Sequence, residues 1–321
     1  MNVSILSLGT SALGSVYNQT DDTKSVQVVI DAVRSGVNLL DSAAWYGHGK
    51  AEAVTGRALK KIPREAYYIM TKVGRYCPDA RGMFDFTADR VTASVDESLK
   101  RLGLEYIDVI QVHDPEFCHD WEMIVNETLP ALEACRKAGK VKMIGMTGYP
   151  LDVQRKIIEG ADAKGIKINT SLTYCHYTLN DRSLATSGFL EWANQRGLGI
   201  VNASPLSMRL LTDRGPPKWH PALPFQKEVC AEAAKVATDA GFNISQLAVQ
   251  FTLAHPTIPT TLIATSNPDR MAANLKWATT PPTAEEQRFT QHLLDTVFSK
   301  LGDNTTWIDN EPGKYLQKVG K

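Results

Sequence analysis

The sequence predicts an α/β fold, a closed (β/α)8 TIM barrel, and three observations support this prediction. Eight short apolar or β-branched runs alternate with helical patterns along the 321 residues. Most consecutive runs lie roughly thirty residues apart, which is the length that one βαβ unit needs. No G-x-G-x-x-G motif follows the first run, so an open doubly wound sheet is disfavoured. We expect one barrel domain over residues 1–321.

The eight runs are predicted strands because each is short and rich in Val, Ile, Leu, Met or Thr. A polar residue or a tyrosine follows each run. The carboxyl ends of all strands in a parallel barrel lie at one face, so these side chains should share one mouth. The runs are residues 6–9, 38–40, 68–71, 107–112, 143–146, 168–173, 199–203 and 261–264, and they lead to Thr10, Asp41, Lys72, His113, Thr147, Tyr174, Ser204 and Thr265.

Helices are predicted between the runs because apolar residues recur there at helical spacing and a glycine follows. The clearest cases end before Gly36, Gly103 and Gly139. Only the interval after the seventh strand is about twice the usual length. Its residues 206–224 contain four prolines and predict a long ordered loop, while residues 285–298 predict an extra C-terminal helix before a polar tail, 302–321.

The composition excludes several function classes. Lys plus Arg and Asp plus Glu both number 35, so no basic field exists to attract nucleic acid. No apolar run is long enough to span a membrane, and the first residues lack a secretion signal. The five cysteines are scattered and form no C-x-x-C pair, which indicates reduced thiols and a cytoplasmic location. The oligomeric state is left open.

Four side chains at the predicted mouth could perform proton transfer: Asp41, Tyr46, Lys72 and His113. A tyrosine, with an ordinary pKa of about 10, is a poor acid at neutral pH. An ammonium group beside it favours the phenolate. Lys72 can supply this charge, Asp41 can orient the lysine, and His113 can donate a hydrogen bond to a substrate oxygen. The sequence thus predicts Tyr46 as an acid-base group.

Three other kinds of site are disfavoured by the residues around these side chains. Residues 47–50 resemble the end of a P-loop, but Ala44 and Ala51 stand where a glycine and a Ser or Thr are needed. Residues 113–119 contain potential ligands at a spacing that matches no zinc pattern, so we expect no metal. A lysine at a strand end also suggests a Schiff-base aldolase, but Asp41 nearby argues against the neutral amine that this chemistry needs.

These motifs resemble the aldo-keto reductases over essentially the whole chain. The resemblance rests on the D-x-x-x-x-Y-G segment at 41–47, on 71–72, on 111–113 and on 204–206. It implies a barrel of aldo-keto reductase type and NAD(P)-dependent carbonyl reduction or alcohol oxidation. In that chemistry Tyr46 carries the proton, Lys72 and Asp41 tune it, and His113 orients the carbonyl.

The resemblance also implies a set of cofactor-binding residues. Family members that prefer NADP often have a lysine near position 264, where this chain has alanine. We therefore expect NAD, while Arg270 leaves NADP as an alternative. Arg209 stands where the family often has glycine. The implied residues are Thr10, Asp41, Thr147, Tyr174, Ser204, Pro205, Leu206, Arg209, Thr265, Ser266, Arg270 and Asn274.

Several segments are similar to family members that oxidise a free sugar at C1, among them 12–16, 84–86, 174–177 and 215–221. This similarity implies a small-molecule sugar substrate, with L-galactose oxidised to L-galactono-1,4-lactone on the route to ascorbate. The alternatives are an L-fucose or D-threo-aldose dehydrogenase, a broad NADPH-dependent carbonyl reductase, or a cofactor-holding binding protein of the channel β-subunit type. Aromatic and hydrogen-bonding side chains suit a sugar. The candidate substrate residues are Trp45, His48, Tyr76, His113, Asp114 and Trp219.

Overall fold

Eight parallel strands pair in chain order and close into a barrel, because β1 pairs with both β2 and β8. The computed structural model describes residues 1–16, 18–303, 305–307 and 314–315. The closed order of the eight strands confirms the predicted (β/α)8 barrel. The strands are β1 (Leu6–Gly9), β2 (Leu39–Asp41), β3 (Tyr68–Val73), β4 (Ile107–His113), β5 (Val141–Gly148), β6 (Thr170–Tyr174), β7 (Gly199–Ala203) and β8 (Thr260–Ala264).

Helices surround the strands, and their ends carry the expected capping groups. Asp21 and Asn243 accept backbone N–H groups at the starts of two helices, and Gly103 closes a third in the left-handed conformation. The α-helices are α1 (Asp22–Arg34), α2 (Lys50–Leu59), α3 (Ala88–Leu102), α4 (Trp121–Met123), α5 (Leu129–Lys137), α6 (Leu151–Ala163), α7 (Ser183–Thr186), α8 (Phe189–Gln195), α9 (Pro224–Asp239), α10 (Ile244–Leu253), α11 (Pro268–Thr279) and α12 (Ala284–Thr296).

The interior of the barrel has an apolar floor below a polar layer. Alternate residues of a strand share one face, so the residue two places after an interior residue is also interior. Lys72 thus follows Met70 on β3, and Gln111 follows Val109 on β4. The floor is a buried cluster made of Leu39, Met70, Val109, Leu172, Val201, Ala203 and Leu262. This arrangement presents the polar side chains at the carboxyl ends of the strands.

The observed elements differ from the predicted ones in a few places. β5 is longer than predicted, and β6 begins at Thr170 rather than at residue 168. The long loop after β7 and the C-terminal helix α12 are both present. However, the long interval before β8 also holds two helices, α9 and α10, so the loop explains only part of it. Most of the predicted polar tail, 302–321, lies outside the described residues.

Of the helices in the described ranges, none combines the length and the apolar character that crossing a bilayer requires.

Candidate active site

The ammonium group of Lys72 lies buried at the carboxyl end of β3. Lys72 is 1% exposed, and its Nζ donates to Asp41 Oδ2 at 2.6 Å, to the Ser42 carbonyl at 2.6 Å and to the Tyr46 hydroxyl at 3.2 Å. All three of its N–H groups therefore have an acceptor. A Schiff-base nucleophile needs a neutral amine with a free lone pair, so this arrangement does not suit that chemistry.

The carboxylate of Asp41 ends β2 and balances the charge of Lys72. Its Oδ1 accepts a hydrogen bond from Gln111 Nε2 at 2.9 Å. Burial raises the pKa of the Asp41 carboxyl, while the Lys72 ammonium and the Gln111 amide act in the opposite direction. The role of Gln111 was not predicted from the sequence. Its position two residues before His113, and so on the same face of β4, was the available signal.

Tyr46 lies in the turn after β2, and a contact between glycines holds this turn in place. Gly47 has a φ of 63°. A Cβ atom there would overlap the carbonyl oxygen of Gly14, and one at Gly14 would lie 2.5 Å from the Tyr46 carbonyl oxygen. The backbones of the two loops therefore touch with no side chain between them. This contact sets the position of Tyr46 relative to Lys72.

His113 ends β4 beside Tyr46, with the two ring centres 6.0 Å apart and the rings nearly perpendicular. Burial lowers the pKa of His113 to about 3; the Asp114 carboxylate opposes this shift, and Lys72 and Arg75 add to it. The imidazole is therefore neutral at neutral pH and can donate one hydrogen bond without carrying charge. The structure thus brings the four predicted catalytic side chains together at one mouth.

An ion pair and an aromatic ring form the wall next to His113. Arg75 Nη1 lies 2.6 Å from Asp114 Oδ2, and this oxygen lies 3.6 Å from His113 Nε2. The guanidinium carbon of Arg75 lies 4.3 Å from the centre of the Trp45 ring. Arg75 was missed because it follows the end of β3, in a loop that is shaped by its pairing with Phe84.

This wall and its neighbour include three of the six predicted substrate residues: Trp45, His113 and Asp114. The other three have different surroundings. The His48 ring meets Trp45 edge-on, and its Nδ1 lies 2.9 Å from the Tyr76 carbonyl oxygen. The hydroxyl of Tyr76 accepts a hydrogen bond from the backbone N–H of Gly74 at 2.8 Å. This bond stabilises the loop in which Tyr76 itself lies. Trp219 is 55% exposed on the loop after β7.

Glu116 links the loop after β4 to the loop after β5. Its Oε1 accepts the backbone N–H of Tyr149 at 2.8 Å. Its Oε2 is buried and has no hydrogen-bond partner among the described residues. Burial raises the pKa of Glu116 to about 8, and the negative charge of Asp114 adds to the shift. The carboxyl group of Glu116 is therefore mostly protonated at neutral pH.

Tyr174, at the end of β6, packs against a row of aromatic rings. Its ring centre lies 5.2 Å from that of Tyr149, and Tyr149 stacks on Trp307 at 4.8 Å. The backbone N–H of Trp307 donates to the Tyr149 hydroxyl at 3.1 Å, and His176 Nε2 lies 2.5 Å from the Tyr149 carbonyl oxygen. Trp307 is 3% exposed, so a residue beyond the last helix supports this side of the mouth.

A cavity of about 960 Å³ extends between the loops after β1, β7 and β8. Four predicted cofactor residues do not border it: Thr10, Asp41, Thr147 and Tyr174. The hydroxyl of Thr10 is buried and donates to Ser42 Oγ at 2.8 Å. The other eight predicted cofactor residues line the cavity: Ser204, Pro205, Leu206, Arg209, Thr265, Ser266, Arg270 and Asn274.

The side chains around this cavity fit a dinucleotide. Three guanidinium groups, from Arg209, Arg214 and Arg270, border it and would balance phosphate charge. Asn274, only 5% exposed, also borders the cavity and offers amide hydrogen bonds. Arg214 was not predicted, because its place depends on the fold of the long loop. Within the described ranges, no three His, Cys, Asp or Glu side chains converge in a way that a metal ion could use.

The chain is similar to known oxidoreductases. The model of the aldo/keto reductase family matches residues 5–292. L-galactose dehydrogenase of Arabidopsis thaliana is 36% identical over 96% of this chain and 94% of the relative. D-arabinose 1-dehydrogenase of Saccharomyces cerevisiae is 30% identical over 78% of this chain and 76% of the relative.

A solved structure supports the same relationship. The holo form of an aldo-keto reductase from Bacillus halodurans superposes with a TM-score of 0.73 and 26% identity, and the match covers 91% of this chain and 92% of that chain.

Proposed function

The chain belongs to the aldo/keto reductase family, and we propose that it oxidises L-galactose at C1 to L-galactono-1,4-lactone with NAD as the hydride acceptor. Membership of the family and the sugar dehydrogenases among its relatives make it an oxidoreductase of CH–OH groups that uses a nicotinamide cofactor. The identity of the sugar, the use of NAD and a role on the route to ascorbate are the proposal.

The observation that carries the choice of a sugar is the wall beside Tyr46. An ion pair between Arg75 and Asp114 and the face of Trp45 stand next to the predicted proton carrier. A sugar combines polar hydroxyls with apolar C–H surfaces, so it suits a wall that offers both charge and an aromatic ring. A purely apolar aldehyde would form no hydrogen bond with either member of the ion pair. The 36% identity to an L-galactose dehydrogenase supports the same choice.

The last residue of β8 supports NAD as the cofactor. Ala264 borders the cavity, and a lysine in its place would supply charge for a 2′-phosphate. Such a phosphate carries nearly two negative charges and favours several cations. Arg270 borders the same cavity, with Arg209 and Arg214 on the loop after β7. NADP is therefore the alternative cofactor that the test must include.

The proposed chemistry assigns a role to each of the four grouped side chains. The phenolate of Tyr46 takes the proton of the C1 hydroxyl, and the Lys72 ammonium stabilises that phenolate from 3.2 Å. Asp41 balances the charge of Lys72, and the neutral His113 donates a hydrogen bond to the same substrate oxygen. A bound nicotinamide supplies the chemistry of hydride acceptance.

A panel of substrates tests the proposal. L-galactose, L-fucose, D-arabinose and an aromatic aldehyde are each assayed with both dinucleotides, with the ultraviolet absorbance of the reduced cofactor as the signal. We expect L-galactose with NAD to give the highest kcat/KM. L-fucose lacks only the C6 hydroxyl and D-arabinose lacks C6, so a preference for either identifies a different sugar dehydrogenase. Preferred reduction of the aldehyde with NADPH indicates a broad carbonyl reductase, and tight cofactor binding without turnover indicates a binding protein.

We also propose a cytoplasmic location. All five cysteines are free thiols, which supports a reducing compartment. Fractionation of cells that express the protein from its own gene would test this location.

A further inference from the structure

Asp114 follows His113 directly and turns its carboxylate toward the same mouth. Its backbone has a φ of 51°, in the left-handed region that few residues other than glycine adopt. This turn brings Asp114 Oδ2 to 3.6 Å from His113 Nε2. A hydrogen-bond donor and a carboxylate therefore lie side by side, and the imidazole that can donate has its ring centre 6.0 Å from that of Tyr46.

The carboxylate of Asp114 is held in place but still has capacity to accept a hydrogen bond. Arg75 donates to Oδ2 at 2.6 Å, and the guanidinium group rests on the face of Trp45. Among the described residues no donor reaches Asp114 Oδ1, and this oxygen is not fully buried. Asp114 therefore offers one further acceptor site at the mouth, beside the imidazole of His113.

The chemistry of a cyclic sugar hemiacetal decides which substrate group can use this acceptor. If the C1 oxygen lies against Tyr46 and His113, two positions flank C1: C2, which bears a hydroxyl, and the ring oxygen. The ring oxygen has no hydrogen to donate and would face the carboxylate with its lone pairs. The C2 hydroxyl can donate. The carboxylate therefore favours the orientation of the sugar in which the C2 hydroxyl, and not the ring oxygen, lies beside Asp114.

We propose that Asp114 is the residue that selects substrates with a hydroxyl on the carbon next to the one that is oxidised, and that Arg75 positions Asp114. This inference rests on the proposed oxidation of a sugar at C1. It goes further by naming the substrate group that is read and the residues that read it. The required substrate class is a cyclic 2-hydroxy hemiacetal.

The test compares L-galactose with 2-deoxy-L-galactose. Loss of one hydrogen bond to a charged group lowers binding of the reacting state by roughly 10- to 100-fold. We therefore expect the unmodified enzyme to prefer L-galactose by that factor in kcat/KM. In Asp114→Ala the preference should fall to less than about 3-fold, since the group that reads the hydroxyl is gone. An undiminished preference in Asp114→Ala would overturn the inference.

Two controls separate recognition from general damage. Asp79→Asn, an exposed carboxylate on the loop after β3, should keep the full preference. The ratio between L-galactose and L-fucose, which differ only at C6, should be the same in Asp114→Ala as in the unmodified enzyme. Arg75→Gln should reduce the preference at C2 and spare the ratio at C6. If it changes both ratios equally, Arg75 does not act through Asp114.

A binding measurement covers the case in which Asp114→Ala does not fold. Tyr46→Phe enzyme is loaded with NAD, and the two sugars are titrated by calorimetry. We expect L-galactose to bind roughly 10-fold or more tightly than its 2-deoxy analogue. Equal affinities would sink the inference while leaving the proposed function intact. If neither sugar binds, the proposed function fails, and the inference fails with it.

Discussion

The ammonium nitrogen of Lys72 lies 3.2 Å from the hydroxyl oxygen of Tyr46 and 4.7 Å from the centre of its ring. A positive charge at this distance stabilises the phenolate form of a tyrosine. The same ammonium group is held by Asp41 and by the Ser42 carbonyl, so its position does not depend on the tyrosine. The proton carrier therefore lies in the turn after β2, and the charge that tunes it lies on β3.

Lys72→Met tests this relationship. Without the cation the phenolate forms less readily, so we expect kcat for sugar oxidation to fall about 100-fold or more. The remaining activity should rise to a maximum at higher pH than in the unmodified enzyme. Steady-state rates across a pH series measure both effects. An unchanged pH profile would show that Lys72 does not tune the proton transfer.

Tyr46→Phe removes the hydroxyl and keeps the ring. Because the substrate proton then has no acceptor, we expect turnover to fall about 100-fold or more. The cavity between the loops after β1, β7 and β8 does not include Tyr46, so cofactor affinity should stay within about 3-fold of its normal value, as quenching of tryptophan fluorescence would show. Substantial turnover by this variant would end the proton-carrier assignment.

Gly47→Ala tests whether the contact between glycines positions the tyrosine. The new methyl group would overlap the Gly14 carbonyl oxygen, so the turn must move and carry Tyr46 away from Lys72. We expect kcat to fall about 10-fold or more. Gly215→Ala is the matched control, because Gly215 has a similar φ of 67° but open space around its Cβ position. Equal losses in both variants would mean that backbone strain alone explains the effect.

Glu116→Gln tests the protonation of a buried acid. Burial raises the pKa of Glu116 from 4.5 to about 8, so the folded state binds a proton that the unfolded state releases between these values. The stability that this carboxyl contributes is therefore complete below about pH 4.5 and is lost as the pH rises through 8. The amide cannot ionise. We expect the unfolding free energy of the variant to rise by a few kcal/mol relative to that of the unmodified enzyme between pH 5 and pH 9.

Urea unfolding at pH 5, 7 and 9 would measure this difference for Glu116→Gln. The unfolding free energy of the variant minus that of the unmodified enzyme should increase as the pH rises. A gap that is constant with pH would contradict the proposed protonation of Glu116 in the folded state.

The sequence predicted the barrel and its four grouped side chains because both depend on local signals. Strand runs and helical spacing recur along the chain, and the residue at the end of a strand has a known place at the mouth. Asp41, Lys72 and His113 were found in this way. The same rule does not place every such residue at the large cavity: Thr10 and Thr147 also end or follow strands, but they are buried and do not line it.

The contacts that the sequence did not predict lie between distant loops. Arg75 meets Asp114 across 39 positions, and Trp307 reaches Tyr149 across 158. The spacing of residues along one element carries no information about such pairs, because they depend on how two irregular segments fold over the same mouth. The wall beside Tyr46 and the support behind Tyr174 therefore became visible only in the folded chain.

The charges of the site lie in two different environments. Arg214 and Arg270 stand exposed along the large cavity, whereas the side chains of Lys72 and Asp41 are 1% and 4% exposed. Dissolved ions screen exposed charges over about 8 Å at physiological ionic strength but hardly reach buried pairs. Added salt should therefore loosen the capture of the dinucleotide and leave proton transfer at Tyr46 unaffected.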